Sequence, residues 1–598
     1  MSAYIAPLSD MRFLLHELIG LDEIAQLPGF EEATPDLVDA VLDEAGKFAG
    51  DVLAPLNKPG DTQGCRFANH AVTTPDGFPQ AYRRFIDGGW TMLACDPAHG
   101  GQGLPAVVAT PVEEMWHAAN MGFALCQMLT RGAIEAIHLC GSEELKQRYL
   151  TKMVSGEWTG TMNLTEPQAG SDLSAVRTRA VPEGDHHRLF GSKIFITYGE
   201  HDFTENIIHL VLARTQDAPE GVKGLSLFVV PKFMVNPDGS LGDRNDVYCV
   251  SLEHKLGIHA SPTAMLAFGD NGGAAGYLVG EENRGLQYMF IMMNAARFSV
   301  GLQGVAIADR AYQDALSYAK ERVQGTEAGV RGGDKVPIIH HQDVRRMLMS
   351  MKAQVEAMRA LAYFTAASLD KATHHPDAEE RARHQAFADL MIPVVKGWST
   401  EASIDVASTG IQIQGGMGYV EETGAAQYWR DARITTIYEG TTGIQANDLV
   451  GRKIAREKGA TAKAVIAAMK ATDRRLAEVS GADFSAIRSA LSDGVKALDE
   501  ATGWIVDTYP SDVKAVSAGA VPFLKLFGIV AGGWQMAHAA LVAQAKLGMG
   551  DGGDQSFYQA KISTARFYAD HILSQAPGLR HAVVRGAAGV MALEEDQF

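Results

Sequence analysis

Cysteine is scarce in this chain, and the five present, at positions 65, 95, 126, 140 and 249, are scattered and odd in number. None forms a Cys-x-x-Cys pair, so neither a disulfide framework nor a zinc site is expected, but reduced core thiols in a cytoplasmic protein. Positive charge is in deficit: 53 Lys and Arg stand against 71 Asp and Glu, a formal net charge of −18. Phosphate backbones need a basic face, so nucleic acid is not expected as a partner. Residues 1–10 lack the basic and apolar regions of a secretory leader, and the chain does not end on Ser-Lys-Leu. Long apolar runs are few. The strongest, Leu526–Ala545, carries Gln535, His538 and Gln544, which predicts a buried helix and no membrane span. No Gly-x-Gly-x-x-Gly follows a strand, which argues against a nicotinamide site. The adjacent histidine pairs 186–187, 340–341 and 374–375 cannot share one helical face, so no metal site is expected.

A length of 598 residues exceeds what one core can organise, while 46% hydrophobic and 21% charged residues are ordinary for a soluble protein. Residues 1–158 read as helical: Leu37–Ala45, Glu113–Leu129 and a stretch from Ser142 to Val154 have helical apolar spacing. From 159 to 282 the chain turns to Gly, Thr and Val, with strand candidates at Ile207–Ala213, Leu225–Val230 and Ala264–Phe268. Helical patterns return over 283–450, at Tyr288–Lys320, His341–Leu369, Ala378–Lys396 and Ser399–Gln412, with a glycine-rich exposed loop at Val323–Pro337. Residues 451–598 form a further Ala-rich helical region, interrupted near Tyr509-Pro510 and at Gly548–Gly553. The fold class is α+β, mostly α: a helical domain, a β-domain, a helical bundle and a C-terminal helical extension.

Glu439, in Ile437-Tyr438-Glu439-Gly440-Thr441-Thr442-Gly443, is the most informative residue. A carboxylate between an aromatic and a glycine-rich polar turn suits a general base, and the threonines offer hydroxyls to a phosphate or a flavin. Alone, a Glu at such a helix–loop junction is more often a solvated cap. Upstream lie Gln414-Gly415-Gly416-Met417-Gly418-Tyr419 and Tyr428-Trp429-Arg430-Asp431-Ala432-Arg433, and much earlier Thr165-Glu166-Pro167-Gln168-Ala169-Gly170-Ser171-Asp172. In this order the segments resemble the acyl-CoA dehydrogenase family over about residues 40–450. Residues 451–598 resemble the extra helical domain of its larger members.

Desaturating an acyl thioester needs a base for the α-proton, stabilisation of the thioester oxygen and a hydride acceptor, which side chains cannot supply. The resemblance implies FAD as that acceptor and Glu439 as the base, its backbone N–H holding the thioester oxygen. Some relatives carry the base at the position of Ala296, which cannot remove a proton. For the flavin it implies Met162, Leu164, Thr165, Gly170 and Ser171, then Phe195, Ile196 and Thr197 in Lys193-Ile194-Phe195-Ile196-Thr197. Arg322, Gln412, Gly415 and Gly416 would reach the FAD of a neighbouring subunit, and Thr441 and Gly443 the cofactor. Ser171, Asn294, Arg297 and Gly440 would face acyl-CoA. The chain departs from the family at Gln168, commonly Gly, at Phe195, commonly Trp, and at Val323-Gln324-Gly325, where Gln-Phe-Gly is usual. Taken singly, the strand residues read as sheet core and Gly415-Gly416 as a helix terminator.

Tyr4-Ile5-Ala6-Pro7-Leu8-Ser9-Asp10-Met11-Arg12-Phe13, the Arg322–Gly325 loop and the C-terminal extension are similar to bacterial 3-methylmercaptopropionyl-CoA dehydrogenases. That similarity implies oxidation of 3-(methylthio)propanoyl-CoA to 3-(methylthio)acryloyl-CoA in dimethylsulfoniopropionate catabolism, within a broader class of short or medium acyl-CoA converted to trans-2-enoyl-CoA. It also implies electron-transfer flavoprotein as acceptor and a homodimer or dimer of dimers. Two alternatives stay open: an acyl-CoA oxidase using oxygen, and a DNA-binding flavoprotein relative. The second wants a basic extension, whereas 451–598 holds 17 Lys and Arg against 15 Asp and Glu.

Overall fold

The spacing of apolar residues changes from helical to strand-like and back, and the architecture follows it. The computed structural model describes residues 3–549 and 554–598. In chain order its principal elements begin with α1 (Pro35–Phe48), α2 (Phe78–Asp87), α3 (Ala106–Cys140) and α4 (Glu143–Val154). Eight strands follow: β1 (Trp158–Asn163), β2 (Arg179–Glu183), β3 (His186–Thr197), β4 (Asn206–Ala213), β5 (Ser226–Pro231), β6 (Val247–Leu252), β7 (Thr263–Phe268) and β8 (Ala274–Val279). Then come α5 (Gly285–Glu321), α6 (Gln342–His374), α7 (Ala378–Gln414), α8 (Ala425–Thr435) and α9 (Thr442–Asn447). The extension adds α10 (Ala460–Ala477), α11 (Ala482–Thr508), α12 (Ala520–Met549), α13 (Gln555–His571) and α14 (Ala576–Arg585). Two compact units result: one from residues 47–104 and 119–299, the other from 1–46, 105–118 and 300–598.

The first of these units is built on a sheet of order β6-β7-β3-β8-β5-β4-β1, with β2 paired to β3 and only β1–β4 parallel. Strands β1, β4 and β5 are buried at every residue, which is why they read as unbroken runs without alternation. Leu189, Val211, Phe228, Val230, Leu266 and Phe268 form the core between strands. Helix α3 is interrupted at Asn120 (φ −159°, ψ 88°), whose Oδ1 accepts from Phe123 N at 3.1 Å and so caps a fresh helical start. Ser142 likewise caps α4, accepting from Leu145 N.

The other unit is helical. The two helices expected at 378–396 and 399–412 are one, α7, which runs through Pro393 and Gly397. Almost every residue from Leu390 to Ser403 is buried, and that packing outweighs the roughly 3 kcal/mol a proline costs in a helix. Gly397 is required by the approach of α12: a Cβ there would lie 2.4 Å from Leu524. The apolar stretch 526–545 lies in α12, whose Gly528 and Gly532 seat the Trp398 ring and whose apolar window is 89% buried. The 323–337 loop is exposed, its base closed by Gln324 N donating to Val336 O and Ile338 N to Arg322 O. A break follows Thr508 as expected, and α12 ends at Met549; residues 550–553 of the expected second break lie outside the described residues.

An ionic cluster ties this unit together. Arg359 of α6, 2% exposed, donates through Nε to Glu114 at 2.8 Å and through Nη1 to Asp10 at 2.6 Å, and its Nη2 lies 2.9 Å from Asp309. Tyr363 donates to the other Glu114 oxygen at 2.7 Å. From α13, Lys561 pairs with Asp10 and, at 3.0 Å, with Glu356. Burial works against the Asp10 charge, yet Lys561 and Arg359 hold its carboxyl well below the usual range. Five chain segments thus meet at charges that none can satisfy alone. Removing one partner of a buried pair costs about 3–5 kcal/mol. Lys561→Met is therefore expected to lower Tm and to expose 555–598 to limited proteolysis. An unchanged Tm with unchanged proteolysis would show that the cluster does not hold the extension.

Candidate active site

In the unit that carries the sheet, the chain leaves β1 at Asn163 and returns along β3. Met162 and Leu164 are buried and Thr165 half-buried, while Gly170 and Ser171 are exposed. A Cβ at Gly170 would meet nothing within 4 Å. This segment is anchored by Glu166, which accepts from Lys193 Nζ (2.8 Å), Thr178 Oγ1 (2.6 Å), Thr178 N (3.1 Å), Arg177 N (2.7 Å) and Gln168 Nε2 (2.6 Å). Lys193, fully buried on β3, also donates to Leu164 O at 3.0 Å, and Ile194 N donates to Thr165 O at 2.9 Å. Burial opposes both charges and draws Lys193 down to about 8, but the Lys193 charge, with hydrogen bonds from Lys193, Thr178 and Arg177, holds the Glu166 carboxyl at about 2. Two residues along β3, Phe195 has φ +60° and is 58% exposed, while Ile196 is buried and Thr197 half-buried. A left-handed, exposed phenylalanine is costly, so a planar partner is the fitting occupant. With the bare backbone of 170–171, the residues fit a flavin and its phosphates. On α5, Asn294 is exposed, Ala296 buried, and Arg297 buried with its guanidinium 5.9 Å from the Phe290 ring centroid.

In the helical unit, α8 ends at Thr435 and the chain turns through 436–441 into α9. Glu439, half-buried, has φ +54° and Gly440 φ +85°, two successive left-handed residues. The turn is held at several points. Thr442 N donates to Thr436 O at 3.0 Å, and Thr442 Oγ1 to Glu401 at 2.5 Å. Gln445 Nε2 donates to the Glu439 carbonyl at 3.0 Å and less closely to that of Gly440, while Lys396 Nζ donates to the Gly440 carbonyl at 2.6 Å. Tyr438 donates its hydroxyl to Gln303 of α5. Thr441 caps α9, accepting from Ile444 N at 3.2 Å, and Gly443 lies half-buried in its first turn. The structure therefore places Glu439, Gly440 and Thr441 in one turn and Gly443 in the helix it leads into.

The remaining expected residues sit at helix ends. Gly415, with φ +60° and ψ −139°, terminates α7, and a Cβ on Gly415 or Gly416 would meet nothing. Gln412 is exposed, and Gln414 is fixed by Asp314 of α5 at 2.9 Å. Arg322 is exposed just past the end of α5. Sequence reasoning gave no role to Glu166, Lys193, Lys396 or Gln445. The available signal was a charged residue inside an otherwise apolar run, as in Ile392-Pro393-Val394-Val395-Lys396.

Comparison with known proteins covers the whole of this architecture. Family profiles match in series: "Acyl-CoA dehydrogenase, N-terminal domain" over 37–157, "middle domain" over 161–271, "C-terminal domain" over 283–455, and "Acetyl-CoA dehydrogenase C-terminal like" over 460–594. The 3-methylmercaptopropionyl-CoA dehydrogenase of Ruegeria pomeroyi is 51% identical over 571 residues, covering 95% of this chain and 96% of that protein. A butyryl-CoA dehydrogenase of Syntrophomonas wolfei is 36% identical over 611 residues, covering 100% and 99%. The acyl-CoA dehydrogenase of Bacillus anthracis, solved with FAD, has the same fold at TM-score 0.73 and 20% identity, over 96% of this chain and 92% of that one. The chain belongs to the acyl-CoA dehydrogenase family and is an FAD-dependent oxidoreductase that desaturates an acyl-CoA thioester.

Proposed function

We propose that Glu439 removes the α-proton of a short acyl-CoA, and that the substrate is 3-(methylthio)propanoyl-CoA, which leaves as 3-(methylthio)acryloyl-CoA. The observation that carries the base is the turn itself: a carboxylate on a left-handed residue, fixed through its own carbonyl and that of Gly440. Such strain persists only where the surroundings over-determine it, and it collects at functional sites. The substrate rests on the 51% identity to the Ruegeria pomeroyi enzyme.

FAD, when bound, supplies the acceptor for the β-hydride. On this reading Phe195 covers the ring, Thr165, Ile196 and Thr197 line its edge with Met162 and Leu164 behind them, and Gly170-Ser171 face the phosphates. Ser171, Asn294, Arg297 and Gly440 orient the acyl-CoA. Thr441 and Gly443 complete the cofactor side of the Glu439 turn. Arg322, Gln412, Gly415 and Gly416 serve the FAD of a second subunit, in a dimer or dimer of dimers. Exposed Met417 and Val420 and the 88% exposed Tyr419 beside these glycines support that interface. Electrons pass to an electron-transfer flavoprotein, in a cytoplasm that keeps the five free thiols reduced.

Glu439→Gln keeps shape and hydrogen bonding but removes the basic carboxylate. Anaerobic bleaching of the flavin by 3-(methylthio)propanoyl-CoA is expected to slow by at least about a hundredfold while FAD and substrate still bind. Bleaching at the wild-type rate would place the base elsewhere. Sedimentation of FAD-bound protein is expected to give an even-numbered oligomer, and an active FAD-bound monomer would refute the shared site. Glu166 supplies a pH test. Its folded carboxyl titrates near 2 against an ordinary 4.5, so its stabilisation is present above pH 4.5 and is lost as pH falls towards 2. Glu166→Gln should weaken FAD binding at neutral pH and flatten the loss of FAD over that acid window, as read by flavin fluorescence. Equal FAD affinity and an unchanged acid profile would remove the anchoring role.

A further inference from the structure

Lys396 is fully buried on α7, in a helix segment with hardly an exposed side chain. An ammonium in such a place is expensive unless its donors are met, so its retention calls for a reason. Its backbone is pinned from one side: a Cβ on Gly301 of α5 would lie 3.0 Å from Lys396 N, and one on Gly304 would lie 2.7 Å from the Ser399 carbonyl. The two glycines let α5 and α7 approach backbone to backbone, which fixes the point from which the lysine stem departs. The stem ends 2.6 Å from the carbonyl oxygen of Gly440. That oxygen also lies 3.3 Å from Gln445 Nε2, and the side-chain carbonyl oxygen of Gln445 is buried with no hydrogen-bond partner among the described residues. The glutamine comes this close because residue 440 is a glycine: a Cβ there would stand only 2.7 Å from its nitrogen.

We propose that Lys396 is a positioning residue for the reaction, its buried ammonium locking the Glu439–Gly440 turn so that the carboxylate is presented in one orientation. The inference rests on Glu439 being the base. Two consecutive left-handed residues, the first with a full side chain, relax unless something inside holds them. A neutral amide alone is a weaker clamp than a charge-assisted bond.

The test compares Lys396→Met, which keeps length and apolar volume, with wild type and Glu439→Gln, all as full-length FAD-bound protein. Lys396→Met is expected to bind FAD normally, to exchange the amides of 437–443 at least about tenfold faster, and to reduce its flavin about ten- to a hundredfold more slowly, kcat falling more than KM changes. Lys396→Gln, which keeps a donor to the Gly440 carbonyl, should recover part of the lost rate, a rescue that mere loosening of the fold would not produce. Should Lys396→Met fail to hold FAD, Lys396→Gln, which retains a donor, carries the same comparison with a smaller expected loss. Wild-type exchange and rate in Lys396→Met, with Glu439→Gln inactive, would overturn the positioning role alone. Full flavin reduction in Glu439→Gln would instead overturn the assignment of the base.

Discussion

A guanidinium sealed from water must find a carboxylate in each direction its nitrogens point, and in this protein Arg359 draws those carboxylates from three distant stretches of chain. Asp10 comes from the amino-terminal arm, Glu114 from α3 and Asp309 from α5. Lys561 of α13 then joins through Asp10 and Glu356. Replacing such clusters with apolar groups is often neutral in stability, whereas leaving one charge unpaired is severe. The arrangement is consequently all or nothing. The helical unit assembles with the amino-terminal arm and the carboxy-terminal extension both in place, or it carries an uncompensated charge at its centre.

The same physics recurs at two smaller sites, where one buried lysine fixes a stretch of main chain. Lys193 bridges β3 to the 164–166 segment through a backbone carbonyl and Glu166. Lys396 reaches the carbonyl after Glu439. In each case the ammonium bonds main-chain oxygen and leaves a neighbouring side chain open: Phe195 stays exposed and Glu439 half-buried. A long flexible cation suits this task because its stem can be walled in by apolar neighbours while its head satisfies main-chain oxygens. The scaffold bears the cost of desolvation, and the main chain so held gains a fixed shape.

Much of this was legible from residue order, for definite reasons. Helical periodicity marked α1, where Val38, Leu42 and Ala45 make up the buried face, and apolar runs marked β4, β5 and β7. The single helix α7 was read as two because Pro393 and Gly397 are breakers locally, while the packing of Trp398 and Leu524 that overrules them is distant in sequence. The candidate base was visible because its neighbours, Gly440 and two threonines, carry turn chemistry. Its clamps were not: Lys396 lies 43 positions earlier than Glu439 along the chain, and nothing in its own neighbourhood points there. Glu166 and Lys193 stood in motifs, but pairing between them depends on the sheet register that brings Ile194 to Thr165.

The extension beyond α9 has a physical reason independent of any ligand. Helix α12 is apolar over most of its length and 89% buried in its most apolar window, yet it carries Gly528, Gly532 and Gly533 where Trp398, Tyr568 and Leu573 come close. Small residues at such points serve backbone-level packing between helices, with large rings filling the notches. Without α12 the Trp398 ring and the neighbouring wall of α7 would face solvent, and α7 is the helix that carries Lys396. Trp534 donates to Thr472 Oγ1 at 2.9 Å, and His538 shares the same hydroxyl at 2.6 Å, which fixes α12 to α10. Burial pushes His538 down to about 4, so this link stays uncharged at neutral pH and adds no further buried charge. The extension therefore supports the same helix that positions the Glu439 turn.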